Sequence, residues 1–173
     1  AVKFSKLGTT FLVKRFDRDG EKRIHFSSAM TMLGKMDGAN ASDGSSYLEI
    51  VSFLKANGAK PQRDLQELWK RIVFSMAVSN TDDHFRNHGF ILSDTGWELS
   101  PLYDVNPDIY GEYLSLNVDN DNSSINFRLA VAAAPFYGLN EKKAFEVVKN
   151  IANTVKENWQ LLAKKYEISR GEI

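Results

Sequence analysis

The sequence predicts an α+β fold, mainly α, with short β-hairpins ahead of and between longer helices. Three observations carry this. β-branched and aromatic residues cluster early, in Thr10 to Phe16. Broad apolar stripes at helical spacing follow over Leu65 to Met76 and Ala144 to Leu162. Between those stripes lie short strand-like runs separated by turn residues, as in Gly89-Phe90-Ile91-Leu92 and Trp97-Glu98-Leu99.

Taken in order, Thr10 to Phe16 reads as a strand. Asp17-Arg18-Asp19-Gly20 is a turn signal, and Arg23 to Phe26 completes a predicted hairpin. Ala29, Met30, Met32 and Leu33 predict a short helix from Ser27, stopped by Gly34. Lys35 to Ser45 reads as a connector, since Asp37, Asn40 and Asp43 miss the alternate positions of a calcium loop. Ser46 and Glu49 form a capping box for a helix running to Gly58. Pro61 opens a second helix, whose core-facing stripe delivers the chain near Ser79 to the residues after it. Gly89 to Leu92 and Trp97 to Leu99 form a hairpin around Ser93-Asp94-Thr95-Gly96. Tyr113 to Val118 is a short strand or extended segment, and Asp119 to Ser124 a solvated polar turn. Asn140 to Tyr166 is one long helix or two.

At 173 residues, 43% hydrophobic and 25% charged, the chain fits one globular domain, 1–173, that needs no staples. It has no cysteine, which excludes disulfides and thiolate metal sites and fits a reducing cytoplasm. Lys plus Arg and Asp plus Glu number 22 each, so no global basic field points to nucleic acid, and no direct nucleic-acid contact is expected. No apolar run approaches a membrane span, and Ala1 to Lys6 lacks a signal peptide's apolar centre, so no membrane association is expected.

The chemistry concentrates in Asn80-Thr81-Asp82-Asp83-His84-Phe85-Arg86-Asn87-His88-Gly89 and in Ser100-Pro101-Leu102-Tyr103-Asp104. Magnesium-dependent phosphoryl transfer needs a carboxylate to orient the attacking hydroxyl and hard oxygen ligands to hold the metal on the phosphates. In a kinase catalytic loop four residues separate the base Asp from the metal-binding Asn, and Asp82 and Asn87 have that spacing while Asp83 is one short. Asp82 is therefore the expected base. Asn87 and Asp104 are the expected magnesium ligands, brought together by the intervening hairpin. Zinc is not expected at His84 and His88, because the cluster is mainly oxygen.

These two segments resemble the C-terminal kinase domain of the HipA family of bacterial Ser/Thr kinase toxins. The resemblance extends to Val13-Lys14-Arg15-Phe16-Asp17-Arg18, like the family's R-[FY]-D-R segment, and to His25 through Gly34. It implies the C-lobe of a protein-kinase-like fold that uses ATP and magnesium to phosphorylate a protein substrate, which is an aminoacyl-tRNA synthetase in the best-known members. It also implies a HipB-like antitoxin as partner. By the same carry-over the Lys14 to Phe16 backbone is the hinge edge that meets adenine, and Asp17 lies near the ribose. His84 matches a motif position and is counted with the cofactor-binding residues as support for the loop.

No glycine-rich phosphate loop precedes the hinge, and Lys3 and Lys6 lie too near the start to serve a complete N-lobe. The expectation is hinge plus C-lobe, a fragment or one half of a split kinase whose other half comes in cis or from another chain. The isolated chain is expected to be inactive. Two alternatives compete: an isolated or degenerate lobe acting as a binding module, and a small-molecule or lipid phosphotransferase with another acceptor pocket.

Overall fold

The computed structural model describes residues 2–5, 8–108 and 110–168. Strands β1 (Val2–Ser5) and β2 (Gly8–Phe11) pair as an antiparallel hairpin, and β3 (Arg18–Asp19) pairs with β4 (Lys22–Arg23) as a shorter one. The strand expected over Thr10 to Phe16 stops at Phe11, and residues 12–15 belong to no strand. Its expected pairing with Arg23 to Phe26 is replaced by the tight β3–β4 turn at Gly20 and Glu21, with Gly20 at φ +59°. Asp17, a poor strand residue, stands just outside the short ladder, its carbonyl accepting the Ile24 amide at 3.0 Å.

Phe26 then enters β5 (Phe26–Ser28), which adds to β6 (Gly89–Ser93) and β7 (Gly96–Leu99) as a three-stranded antiparallel sheet in the order β5-β6-β7. The register sets Ser28 opposite Gly89. The Phe26 ring lies against Gly89, so a Cβ there would collide with it. This sheet couples the hinge region to the loop before β6, a link absent from the sequence reading.

Helix α1 (Ala29–Met32) is capped by Ser28, whose hydroxyl accepts from the Thr31 amide, and Gly34 turns the chain at φ +63°. Helix α2 (Tyr47–Asn57) starts at the predicted capping box of Ser46 and Glu49 and ends at Gly58. Helix α3 (Pro61–Val78) is closed by Ser79 in the left-handed region. Helix α4 (Phe127–Ala133), not anticipated from the sequence, is capped by Asn126 and runs into a 3₁₀ turn at Ala134–Tyr137. Tyr113 to Val118 is extended but only bridges, Tyr113 to Ser124 and Asn117 to Ser46. Asp119 Oδ1 accepts from the Asp121 and Asn122 amides, which makes the 119–124 turn self-capping.

The core gathers Tyr47, Ile50 and Leu54 of α2, Leu68, Trp69, Ile72 and Val73 of α3, and Leu116, Val118 and Tyr137. Helix α5 (Glu141–Lys165) is a single helix and joins that core through Ala144 and Val148. The expected stripe is corrected at its far end: Trp159 and Leu162 are 41% and 47% exposed. They line an apolar groove of about 600 Å³ between α5 and the end of α3.

Candidate active site

The loop after α3 is built from alternating orientations. Ser79 takes φ +54°, which reverses the chain, and the Asn80 amide donates back to the Ser75 carbonyl at 2.8 Å. Asp82 then faces outward with its side chain 74% exposed, while Asp83 turns inward and is 2% exposed. Neighbouring carboxylates thus occupy opposite environments.

Asp83 is held by the protein interior. Tyr47 donates its hydroxyl to Asp83 Oδ2 at 2.8 Å, Ser75 donates to the same oxygen at 3.2 Å, and His88 Nε2 lies 2.9 Å from Oδ1. Burial opposes ionisation of this carboxyl. The His88 charge and the three side-chain hydrogen bonds outweigh it, so Asp83 sits below its ordinary value. The same burial, together with Asp83, drives the Tyr47 phenol far above the ordinary tyrosine range. Asp83 anchors the loop, and Asp82 beside it is left facing solvent.

Asn87 closes the loop. Its Nδ2 donates to the Asp82 carbonyl at 2.9 Å and reaches the Asp104 carbonyl at 3.5 Å, so residues 17 apart in sequence meet through one amide. With Nδ2 committed to carbonyls, Oδ1 is the side chain's remaining polar atom. The hairpin β6–β7 returns the chain to this point, with the Ser100 amide donating to the Gly89 carbonyl at 2.8 Å. Asp104 follows at φ +56°, a left-handed conformation that aspartate tolerates better than most side chains. Its carboxylate is exposed and accepts from Asn106 Nδ2 at 3.0 Å on Oδ1. The Asn87 side chain therefore bridges the backbones at Asp82 and Asp104.

The donor set suits magnesium. Two protein oxygen ligands with the remainder from phosphates and water is how such sites bind this ion. Among the described residues no group of three or more His, Cys, Asp or Glu could hold a metal by itself. His84 stands beside Asp82, with Nε2 3.6 Å from Asp82 Oδ1 and 3.1 Å from Arg86 Nη2. Arg86 also pairs with Asp37 across a cleft of about 360 Å³ that Asp82, His84 and Met30 help to line.

The residues expected to form the hinge meet this site at one point. Phe16 packs on Phe26 and Tyr103, with ring centroids 5.5 and 5.9 Å away. Tyr103 precedes Asp104 and donates its hydroxyl to the Arg86 carbonyl at 2.6 Å. Its phenol, half-buried beside Asp104, is pushed up to about 12 and stays protonated for that bond. Lys14 is exposed on the extended run before Phe16. Asp17 has both carboxylate oxygens engaged: Arg15 donates to Oδ1 and Oδ2 at 2.8 and 2.6 Å, and Arg18 to Oδ2 at 2.7 Å. The Arg15 hydrogen bonds, against a smaller desolvation effect, hold Asp17 down to about 2. A ribose hydroxyl would share these oxygens with two guanidinium groups.

Sequence reasoning passed over Tyr47, Arg71, Ser75 and His88, which all hold the site in place. A signal was available for two of them, since Arg71 and Ser75 interrupt the apolar stripe of α3 with polar groups on its buried face.

A family model described as the HipA-like C-terminal domain matches residues 1–159. A protein of Haemophilus influenzae, named only as a candidate kinase, is 30% identical over 54% of this chain and 29% of its own length. The Shewanella oneidensis serine/threonine-protein kinase toxin HipA is 29% identical over 68% of this chain and 33% of its own length. The chain thus spans about a third of the curated relatives it matches. A chain of the solved complex of Shewanella oneidensis HipA, HipB and operator DNA superposes with a TM-score of 0.74 at 22% identity, over 91% of this chain and 43% of that one. That likeness extends to the fold, mainly helical with small antiparallel sheets. The expectation that nucleic acid plays no part gains no support from it, because that neighbour was solved with operator DNA.

Proposed function

The chain belongs to the HipA-like C-terminal domain family, and from that membership we propose that it carries the base-and-metal half of an ATP- and magnesium-dependent Ser/Thr protein kinase site. The observation that carries the reading is the Asn87 amide, which ties the Asp82 and Asp104 backbones together while leaving its own oxygen free. This gathers one exposed carboxylate for proton transfer and two oxygen donors for a cation, the minimum that phosphoryl transfer asks of this half of the site.

Asn87 Oδ1 and the Asp104 carboxylate would hold magnesium, which when bound neutralises charge on the nucleotide phosphates. Asp82 takes the proton from the acceptor hydroxyl as its oxygen attacks the γ-phosphorus. The bond from that phosphorus to the β–γ bridging oxygen breaks, and ADP carries the electron pair away. Asp83 and His88 hold the Asp82 backbone still, so the base needs no rearrangement. The cleft beside Asp82, His84 and Arg86 admits the acceptor segment. The Lys14 to Phe16 backbone meets adenine, Asp17 lies by the ribose, and His84 flanks the phosphates.

The remaining machinery follows by analogy with the relatives. A phosphate loop and strand lysine come from elsewhere in cis or from another chain, and a HipB-like antitoxin restrains the kinase as a toxin–antitoxin pair in the cytoplasm. The acceptor is a protein, with an aminoacyl-tRNA synthetase as the first to try. The test is transfer of labelled γ-phosphate to protein by the full-length polypeptide. Asp104→Ala should abolish it with the fold intact, and full activity of that variant at saturating magnesium would refute the reading.

A further inference from the structure

Helix α3 buries a face that is not wholly apolar. Asp64, Arg71 and Ser75 lie on it at 1%, 6% and 1% exposure, and steps of seven and four residues put them in one row along the helix. Each grips a different point of the two segments that hold the reactive groups. Asp64 Oδ2 accepts the Leu99 amide at 2.9 Å, Arg71 Nη2 donates to the Ser100 carbonyl at 2.7 Å, and Ser75 donates to Asp83 at 3.2 Å. The helix cap extends the row: Asn80 Oδ1 accepts the Asn106 amide at 3.3 Å, and the Ser79 carbonyl accepts the Asp108 amide at 2.8 Å. Asp104 is thereby fastened on both sides, at Leu99 and Ser100 and again at Asn106 and Asp108. Asp82 is flanked in the same way by Asn80 and Asp83.

Stability alone does not call for this row. Apolar side chains of similar volume commonly replace buried ionic groups without loss, and the row sits among Leu68, Trp69 and Ile72, which could have continued it. What the polar groups add is direction, since each hydrogen bond fixes one backbone atom of a loop against a rigid helix. Asp104 needs such fixing, because its left-handed conformation is not one the chain would choose unaided.

We propose that the polar row of α3, with Arg71 and Ser75 as its central members, sets the separation between the base Asp82 and the cation-holding pair Asn87 and Asp104. Arg71 and Ser75 are positioning residues, acting through the Ser100 carbonyl and Asp83, and touch no substrate. This rests on the roles assigned above to Asp82, Asn87 and Asp104.

The test is phosphoryl transfer by the full-length protein as a function of magnesium, with the melting temperature of every variant. Arg71→Met should raise the half-saturating magnesium concentration by roughly tenfold and lower kcat, with KM for the acceptor little changed. Arg71→Lys should recover part of both. The core variant Leu68→Ala should lower the melting temperature yet leave half-saturation within about twofold of wild type. If Arg71→Met does not fold, Arg71→Lys and Ser75→Ala are read on the same axis. An unchanged magnesium dependence in the folded row variants, or an equal shift in Leu68→Ala, overturns the proposal. Asp104→Ala separates the two levels: if it is inactive while the row variants behave as wild type, only the positioning role fails. If it is fully active, the reading of the site fails first.

Discussion

The 80–88 loop and the segment before β3, the proposed catalytic loop and hinge, are held in different ways. Around Asp83 the polar contacts are buried and one of them is long-range, Tyr47 lying 36 residues away, and Arg71 likewise reaches the Ser100 carbonyl across 29. Around Asp17 they are local and only part-buried, since Arg15 and Arg18 are its near neighbours in sequence and keep 65% and 33% of their own side chains in solvent. Contacts between near neighbours can persist in an unfolded chain and do little to specify a fold. Long-range buried ones exist only in the native state. The loop is therefore preorganised by the core, whereas the hinge is tied to it through the sheet at β5 and through the ring of Phe16 against Phe26 and Tyr103.

The sharpest way to probe the first region is to separate its two aspartates. In the full-length enzyme Asp82→Asn should lower kcat by about two to four orders of magnitude with nucleotide affinity nearly intact, because a base acts on the acceptor hydroxyl. Its melting temperature should hardly move, as the side chain is exposed. The reverse pattern, with Asp83→Asn dead and Asp82→Asn near wild type, would mean that the loop register is wrong.

Asp83 should instead reveal itself in stability. Asp83→Ala leaves the buried His88 and Tyr47 without their common partner, and removing one member of a buried pair costs about 3–5 kcal/mol. Urea denaturation of the variant should show that loss. A midpoint equal to wild type would put the anchoring elsewhere.

Much of this contrast could be read before any coordinates. The capping box at Ser46 and Glu49, Pro61 at the start of α3, and the 89–99 hairpin are local signals, and they hold. The Asn87 amide also bridges the Asp82 and Asp104 backbones, because a two-strand hairpin must bring its ends together. What stayed hidden depends on distant partners. The β5 to β6 pairing joins residues far apart in sequence, and nothing in Phe26-Ser27-Ser28 states which edge it will meet. Helix α4 is short, and its alanines carry no strong period. The exposed end of α5 is hidden for another reason: its stripe at Val155, Trp159 and Leu162 has helical spacing whether or not a neighbour covers it.

Phe16→Ala tests the link between the regions. Each lost ring pair is worth about 0.5–1.5 kcal/mol, so the structure should survive while the hinge drifts from Tyr103. In the full-length enzyme KM for ATP should rise several-fold at nearly constant kcat. A fall in kcat alone would tie Phe16 to Asp104 through Tyr103 and take it out of nucleotide binding.

The smallest effect belongs to Asp17, where the hinge is most local. Its carboxyl is held at about 2 in the folded chain by Arg15 and Arg18, against an ordinary 3.8. A carboxylate with a depressed folded value contributes stability that is fully present above the unfolded value and is lost as pH falls towards the folded one. The window is therefore from about pH 4 down to about pH 2. Both guanidinium partners are solvent-accessible, so the contribution is screened and small. Asp17→Asn should match wild type in acid at pH 2 and melt slightly earlier at neutral pH, with the gap opening between those limits. A variant that loses as much at pH 2 as at pH 7 would show that Asp17 holds the hinge through its shape and neutral hydrogen bonds. The charge pair would then have no part in how the two regions differ.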